Sequence, residues 1–243
     1  MKRSLKILLT FLVGLFGCGQ ENQDPDAIKV FKTDHFDFYY QETSIKELED
    51  LGVYVESNYD RLLHELDVAT TDRIAIHFYY DNASVRAGSG FTNFPSWSIG
   101  LATARDQIHM ISPYGGSVRY DINNIVHEVT HCLTMYINPH IPNNPRWLWE
   151  SVAVYGSRQF VDPRQLNYLE TNPPKWLNEF DNIDNIRIYD VGFLISEFII
   201  EKWGRAKLIE LIEQNGKTGV VLGLEDEAFV VEWLKNTREK YGL

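Results

Sequence analysis

A helical stripe of apolar residues from Ile122 to Tyr136 carries three titratable side chains within it. Ile122, Ile125, Val126, Val129, Leu133 and Tyr136 recur at helical spacing behind Asp121, an N-cap residue type, and predict a core-facing helix. His127, Glu128 and His131 lie inside that helix as HEVTH. Positions i and i+4 of a helix stand one above the other, so His127 and His131 aim two imidazoles at one point. Glu128, one position on, is offset enough to hold a water rather than an ion. Pro139 and Pro142 then break the chain, and Asn144-Pro145 reads as the N-cap and first position of a second helix, running to about Ser157. The two helices turn back on each other, which brings up Glu150 as a third ligand. Two imidazoles and a carboxylate suit Zn²⁺, one ion, with a fourth position open to activate water.

Around these residues the chain resembles the gluzincin metallopeptidases of the peptidase MA type, in particular the aminopeptidase N-like enzymes. Their shared pattern is H-E-x-x-H, eighteen residues and then E, with the second glutamate inside W-L-x-E-G-x-A-x-Y. The chain matches the eighteen-residue gap and Trp147, Leu148, Glu150, Ala153 and Tyr155, and departs at Ser151, where the family usually has glycine. Tyr189-Asp190-Val191-Gly192-Phe193 is similar to the family's Y-x-x-G-F segment, which opens a later helix. The resemblance covers roughly residues 95–243, the catalytic core alone. It implies a zincin-like, thermolysin-like fold and a zinc ion on His127, His131 and Glu150. It also implies Glu128 as general base and Tyr189 as hydrogen-bond donor to the oxyanion. The family's upstream Gly-x-Met-Glu-Asn glutamate, which binds a free amine, has no counterpart. No glutamate occurs between Glu65 and Glu128, and the Gly88 to Asn93 stretch supplies no carboxylate. Internal cleavage or a non-peptide substrate is expected rather than aminopeptidase activity.

The remaining segments predict a mixed architecture. Phe36 to Tyr40 reads as a strand, Ser44 to about Leu66 as one long amphipathic helix, and Arg73 to Tyr80 as a half-buried strand with Ile74, Ile76, Phe78 and Tyr80 on one face. Residues 86–100 read as a loop, followed by strands near Ile99 to Ala104 and Gln107 to Ser112. Later helices are expected over Asp190 to Trp203, Arg205 to Gln214 and Glu225 to Tyr241, and the acidic stretch Asp181 to Asp190 as a solvated loop leading to Tyr189. The fold class is therefore α+β: a small mixed sheet, then a mainly helical half, with the cleft between them.

The first 17 residues have Lys2, Arg3 and Lys6 ahead of an apolar run from Ile7 to Phe16, too short for the roughly 20 residues of a spanning helix, and read as a secretory leader. Leu15-Phe16-Gly17-Cys18 resembles a bacterial lipobox, which implies a lipid on Cys18. Residues 18–27 then form the lipidated cysteine and tether, and 28–243 a single domain. Removing the leader takes away three basic and no acidic side chains, so the net charge moves from −11 to −14. Such a surface repels nucleic acid and anionic headgroups, leaving the lipid as the membrane contact. An exported chain anchored to a bacterial membrane, acting on a peptide or protein, is the expectation. A silent zinc-containing lipoprotein serving as a binding or assembly module is the alternative.

Other candidates take simpler readings. Cys132 points about 100° away from His131 around the helix and reads as a small buried hydrophobe. His35, His64, His77, His109 and His140 stand alone, and His140, between the ligand helices, has only a possible supporting role. Trp97, Trp147 and Trp149 are expected in the core.

Overall fold

The structure is a computed structural model that describes residues 28–41, 45–92, 94–114, 116 and 121–243. The leader, Cys18 and the tether lie outside the described residues. No helix among the described residues is long and apolar enough to cross a membrane. The fold is mixed α+β, as the pattern of elements predicts. The described residues divide into two compact units, one from the ranges 28–60 and 72–122 and one from the ranges 61–71 and 123–243.

The first unit is a five-stranded mixed sheet in the order β1-β2-β3-β5-β4. Its strands are β1 (Lys29–Lys32), β2 (Phe36–Tyr40), β3 (Ile74–Tyr79), β4 (Gly100–Ala104) and β5 (Gln107–Ile111). Helix α1 (Ile45–Leu66) joins β2 to the parallel β3, and α2 (Asn82–Ser89) lies in the crossover towards β5, also parallel to β3. The alternation of β2 and β3 sends Phe36, Phe38, Ile74, Ile76 and Phe78 into the core with Ile108 and Met110 of β5. Leu48, Leu51, Val55 and Tyr59 of α1 are buried as well, and Tyr59 meets Phe36 edge-on at 5.7 Å. The opposite face carries a cross-strand row of rings. Tyr39 stacks on His77 at 4.5 Å, and His77 on His109 at 4.9 Å.

The second unit is helical: α3 (Asn123–Ile137), α4 (Arg146–Gly156), α5 (Tyr168–Thr171), α6 (Arg187–Trp203), α7 (Arg205–Glu213), α8 (Thr218–Val221) and α9 (Asp226–Tyr241), with short 3-10 turns at Pro163–Gln165 and Leu177–Asp181. Helix α4 is central, packed on α3 and on α6. Two glycines permit those approaches. A Cβ on Gly156 of α4 would lie 2.6 Å from Thr130 Oγ1 on α3, and one on Gly192 of α6 would lie 3.0 Å from Ser151 Cα on α4. Two buried hydroxyls of α3 are satisfied within the helix, Thr130 Oγ1 donating to the Val126 carbonyl and Thr134 Oγ1 to that of Thr130, each at 2.7 Å.

Several boundaries differ from the sequence expectation. Residues 82–89 form a helix where residues 86–100 had read as loop, because Asp81 caps it, accepting from the Ser84 N–H at 2.8 Å. Helix α3 begins at Asn123 rather than directly behind Asp121. Pro145 is extended (φ −84°, ψ 155°) and is itself the N-cap of α4, so Arg146 is its first residue. The N–H of Trp147 is satisfied from a distance, by Asp181 Oδ1 at 3.1 Å. Helix α6 starts at Arg187, three residues early, which puts Tyr189 in its first turn. Of the stretch Asp181 to Asp190 expected as a solvated loop, residues 181–186 are largely exposed, but residues 187–190 form the first turn of α6, with Ile188 buried.

Candidate metal centre

His127 and His131 stand one turn apart on α3, both buried, at 7% and 4% exposure, and Glu150 of α4 is 6% exposed. Nε2 of His127 lies 3.2 Å from Glu150 Oε2, and Nε2 of His131 lies 3.6 Å from the same oxygen. One ligand atom from each of the three side chains falls within 4.8 Å of the others. The buried trio can therefore hold a metal ion. Among the described residues, no other group of His, Cys, Asp and Glu meets the same spacing.

The environment holds Glu150 anionic beside a neutral imidazole at His131. Burial alone would push the Glu150 carboxyl up, but His127 and His131 beside it hold it well below the usual carboxylate range. Burial pulls His131 down to about 4 despite its carboxylate neighbour, so this imidazole is neutral with a lone pair to offer. Burial also acts against charge on His127, yet Glu150 and Glu128 outweigh it and raise its proton affinity. A metal ion entering here replaces a proton.

Each ligand is held by its own surroundings. His127 Nδ1 lies 3.1 Å from Gln159 Oε1. His131 lies flat on the indole of Trp149, with centroids 3.9 Å apart and planes within 10°. Its Nδ1 has no hydrogen-bond partner, so the ring is held by the Trp149 stack and by Glu150 at its Nε2.

The structure brings the other sequence candidates to the same place. Glu128 is 7% exposed on α3, and its charge acts on both His127 and the Tyr189 phenol. The Tyr189 ring lies 6.1 Å from that of His127. Burial, followed by the charge of Glu150, pushes its phenol far above the ordinary range, while Arg146 pulls the other way. The chain matches no protein-family model and no curated protein.

Cys132 is fully buried, as a small hydrophobe would be. Trp147 and Trp149 are core residues, whereas Trp97 is 43% exposed and does not pack inside. His35 pairs with Glu56 and stacks on Tyr59, and His64 meets Arg205. His140 is exposed, and the side chain that reaches the ligand His127 is Gln159.

Sequence reading missed two neighbours of the candidate site. Arg146 is 1% exposed, with its Cζ 5.5 Å from the Tyr189 ring centroid, and Nη1 donates to the carbonyls of Phe180 at 2.7 Å and of Asn182 and Asn185 at 3.2 Å. It pins the segment leading into Tyr189. Gln159 was the other, and neither carries a motif that marks it.

Proposed function

We propose that the chain is a zinc-dependent hydrolase with a zincin-like catalytic fold, a metallopeptidase that cleaves peptide bonds internally. The observation that carries this reading is the convergence of the His127 and His131 Nε2 atoms on Glu150 Oε2. Three zinc ligands at about 2.0–2.1 Å and tetrahedral angles stand about 3.3 Å apart. The 3.2 and 3.6 Å separations fit that requirement. Imidazole nitrogen and carboxylate oxygen are also the donor set of catalytic zinc, which needs three protein ligands and an open position.

Zinc bound there supplies Lewis acidity, activating water and polarising the scissile carbonyl. The chain's own groups supply the rest. Glu128 takes the proton of the attacking water and passes it to the leaving amine. Tyr189 donates its O–H to the oxygen on which negative charge develops. Its raised phenol pKa keeps it protonated at neutral pH, the form able to donate.

The lack of any glutamate between Glu65 and Glu128, where the resemblance would place the group that binds a free amine, supports cleavage inside a peptide over removal of an amino-terminal residue. The basic-apolar leader and Cys18 support export and lipid anchoring to a bacterial membrane, with a peptide or protein as substrate. Replacing Glu128 by Gln tests the mechanism: the variant keeps its metal and loses turnover. A Glu128→Gln protein that cleaves as fast as its parent would overturn the assignment of the base.

A further inference from the structure

We infer that Gln159 is a positioning residue of the metal centre, its side-chain amide holding His127 so that Nε2 faces the ion. This rests on the metal-site reading above. An imidazole that gives Nε2 to a metal keeps its remaining proton on Nδ1, and that N–H needs an acceptor. Gln159 Oε1 stands 3.1 Å from Nδ1.

The amide is itself held from its nitrogen side, while the Ser157 hydroxyl near its oxygen also lies 2.7 Å from the Ala153 carbonyl. Its Nε2 donates to Asn124 Oδ1 at 2.8 Å, and Ser157 Oγ lies 2.8 Å from Oε1. Asn124 precedes His127 by three residues on α3, so it shares a face with the ligand it helps to orient. Gln159 lies just past the end of α4, the helix that carries Glu150. The clamp therefore ties the start of one ligand helix to the end of the other.

The backbone delivers Gln159 by an unusual route. Arg158 is left-handed (φ 61°), and the turn it makes lets the Gln159 N–H bond the Val154 carbonyl at 3.1 Å. That backbone bond completes the helix end. The side chain is not needed as a cap and is directed instead at His127. The Arg158 guanidinium pairs with Glu65 and lies over the Tyr155 ring at 5.0 Å, contacts that hold a non-glycine residue in this conformation.

The test is metal affinity in the full chain stripped of metal, measured for Zn²⁺ and Co²⁺ by competition with a chromophoric chelator. Gln159→Leu keeps the bulk and removes the acceptor, and is expected to bind about 10–100-fold more weakly. Gln159→Glu restores an acceptor and is expected within about threefold of the parent or tighter. Asn124→Ala, which frees the amide without touching a ligand, falls between them. The His127 Nδ1–H resonance in ¹⁵N-resolved spectra should be protected from exchange in the zinc-loaded parent and lose that protection in Gln159→Leu. A folded Gln159→Leu protein with parental affinity overturns the inference. So does Asn124→Ala with parental affinity, should the leucine variant fail to fold. A folded parent that binds neither metal overturns the metal-site reading itself, and this inference with it.

Discussion

The imidazole of His131 lies flat on the indole of Trp149, one residue before Glu150. A single turn of α4 thus supplies the carboxylate of the candidate metal centre and the surface on which His131 lies. Trp149→Ala removes a buried ring and leaves His131 free to rotate. We expect a loss of about 3–5 kcal/mol in chemical denaturation, with weaker metal binding. Trp149→Phe keeps a flat partner and should retain most of the affinity. Equal metal affinity in parent and alanine variant would show that the stack does not position His131.

Gly192 sets how closely α6 approaches α4, and with it where Tyr189 stands. Even a Cβ there meets Ser151 Cα at 3.0 Å and Val154 Cβ at 3.3 Å, and a backbone atom cannot swing aside. Gly192→Val should cost about 1–3 kcal/mol through overpacking. If Tyr189 donates to the developing oxyanion as proposed, the variant should also lower kcat more than it raises KM. Thermal unfolding and steady-state kinetics together check both parts.

Arg146 is a buried cation whose contacts close the segment of residues 180–185. Arg146→Met fills similar volume but leaves the Phe180 carbonyl without its charged donor. Hydrogen bonds to charged groups contribute about 1.5–3 kcal/mol, and a loss of that order is expected. Hydrogen exchange should quicken over residues 180–186. Unchanged exchange there would mean that Asp181, through its bond to the Trp147 N–H, suffices to hold the segment.

His109 gives the first unit a pH dependence of definite sign. Burial, with the nearby His77, pushes its imidazole down to about 4, and Nδ1 meets the Tyr79 hydroxyl at 2.9 Å. The unfolded chain, with its imidazole near 6.5, therefore binds the proton first as pH falls. Stability is fully present above about 6.5 and declines progressively down to about 4. His109→Gln should show a shallower decline over this window in urea midpoints. A parent and variant with parallel pH profiles would contradict this account.

The parts of the fold that were legible in the sequence share a strong period. The alternation of Ile74, Ile76 and Phe78 marked β3, and the recurrence of Leu48, Val55, Tyr59 and Leu62 marked α1, because in each case one face alone is buried. The four residues of β1 are too few to show a period, and their pairing with β2 defines them. Helix α2 is only eight residues long, with Gly88 inside it, and a side-chain cap at Asp81 carries its start. The metal trio was legible because ligand chemistry restricts both residue type and spacing. Its supports were not. Gln159 depends on a left-handed arginine that no glycine announces, and Arg146 on carbonyls 34 to 39 residues away.

The most direct measurement is digestion of an unbiased peptide library by the full chain, with metal stripped and then zinc restored. The account predicts cleavage at internal bonds that disappears with the metal, returns with zinc, and is missing in Glu128→Gln. A library left intact by the zinc-loaded protein would contradict it and favour a metal-containing binding module.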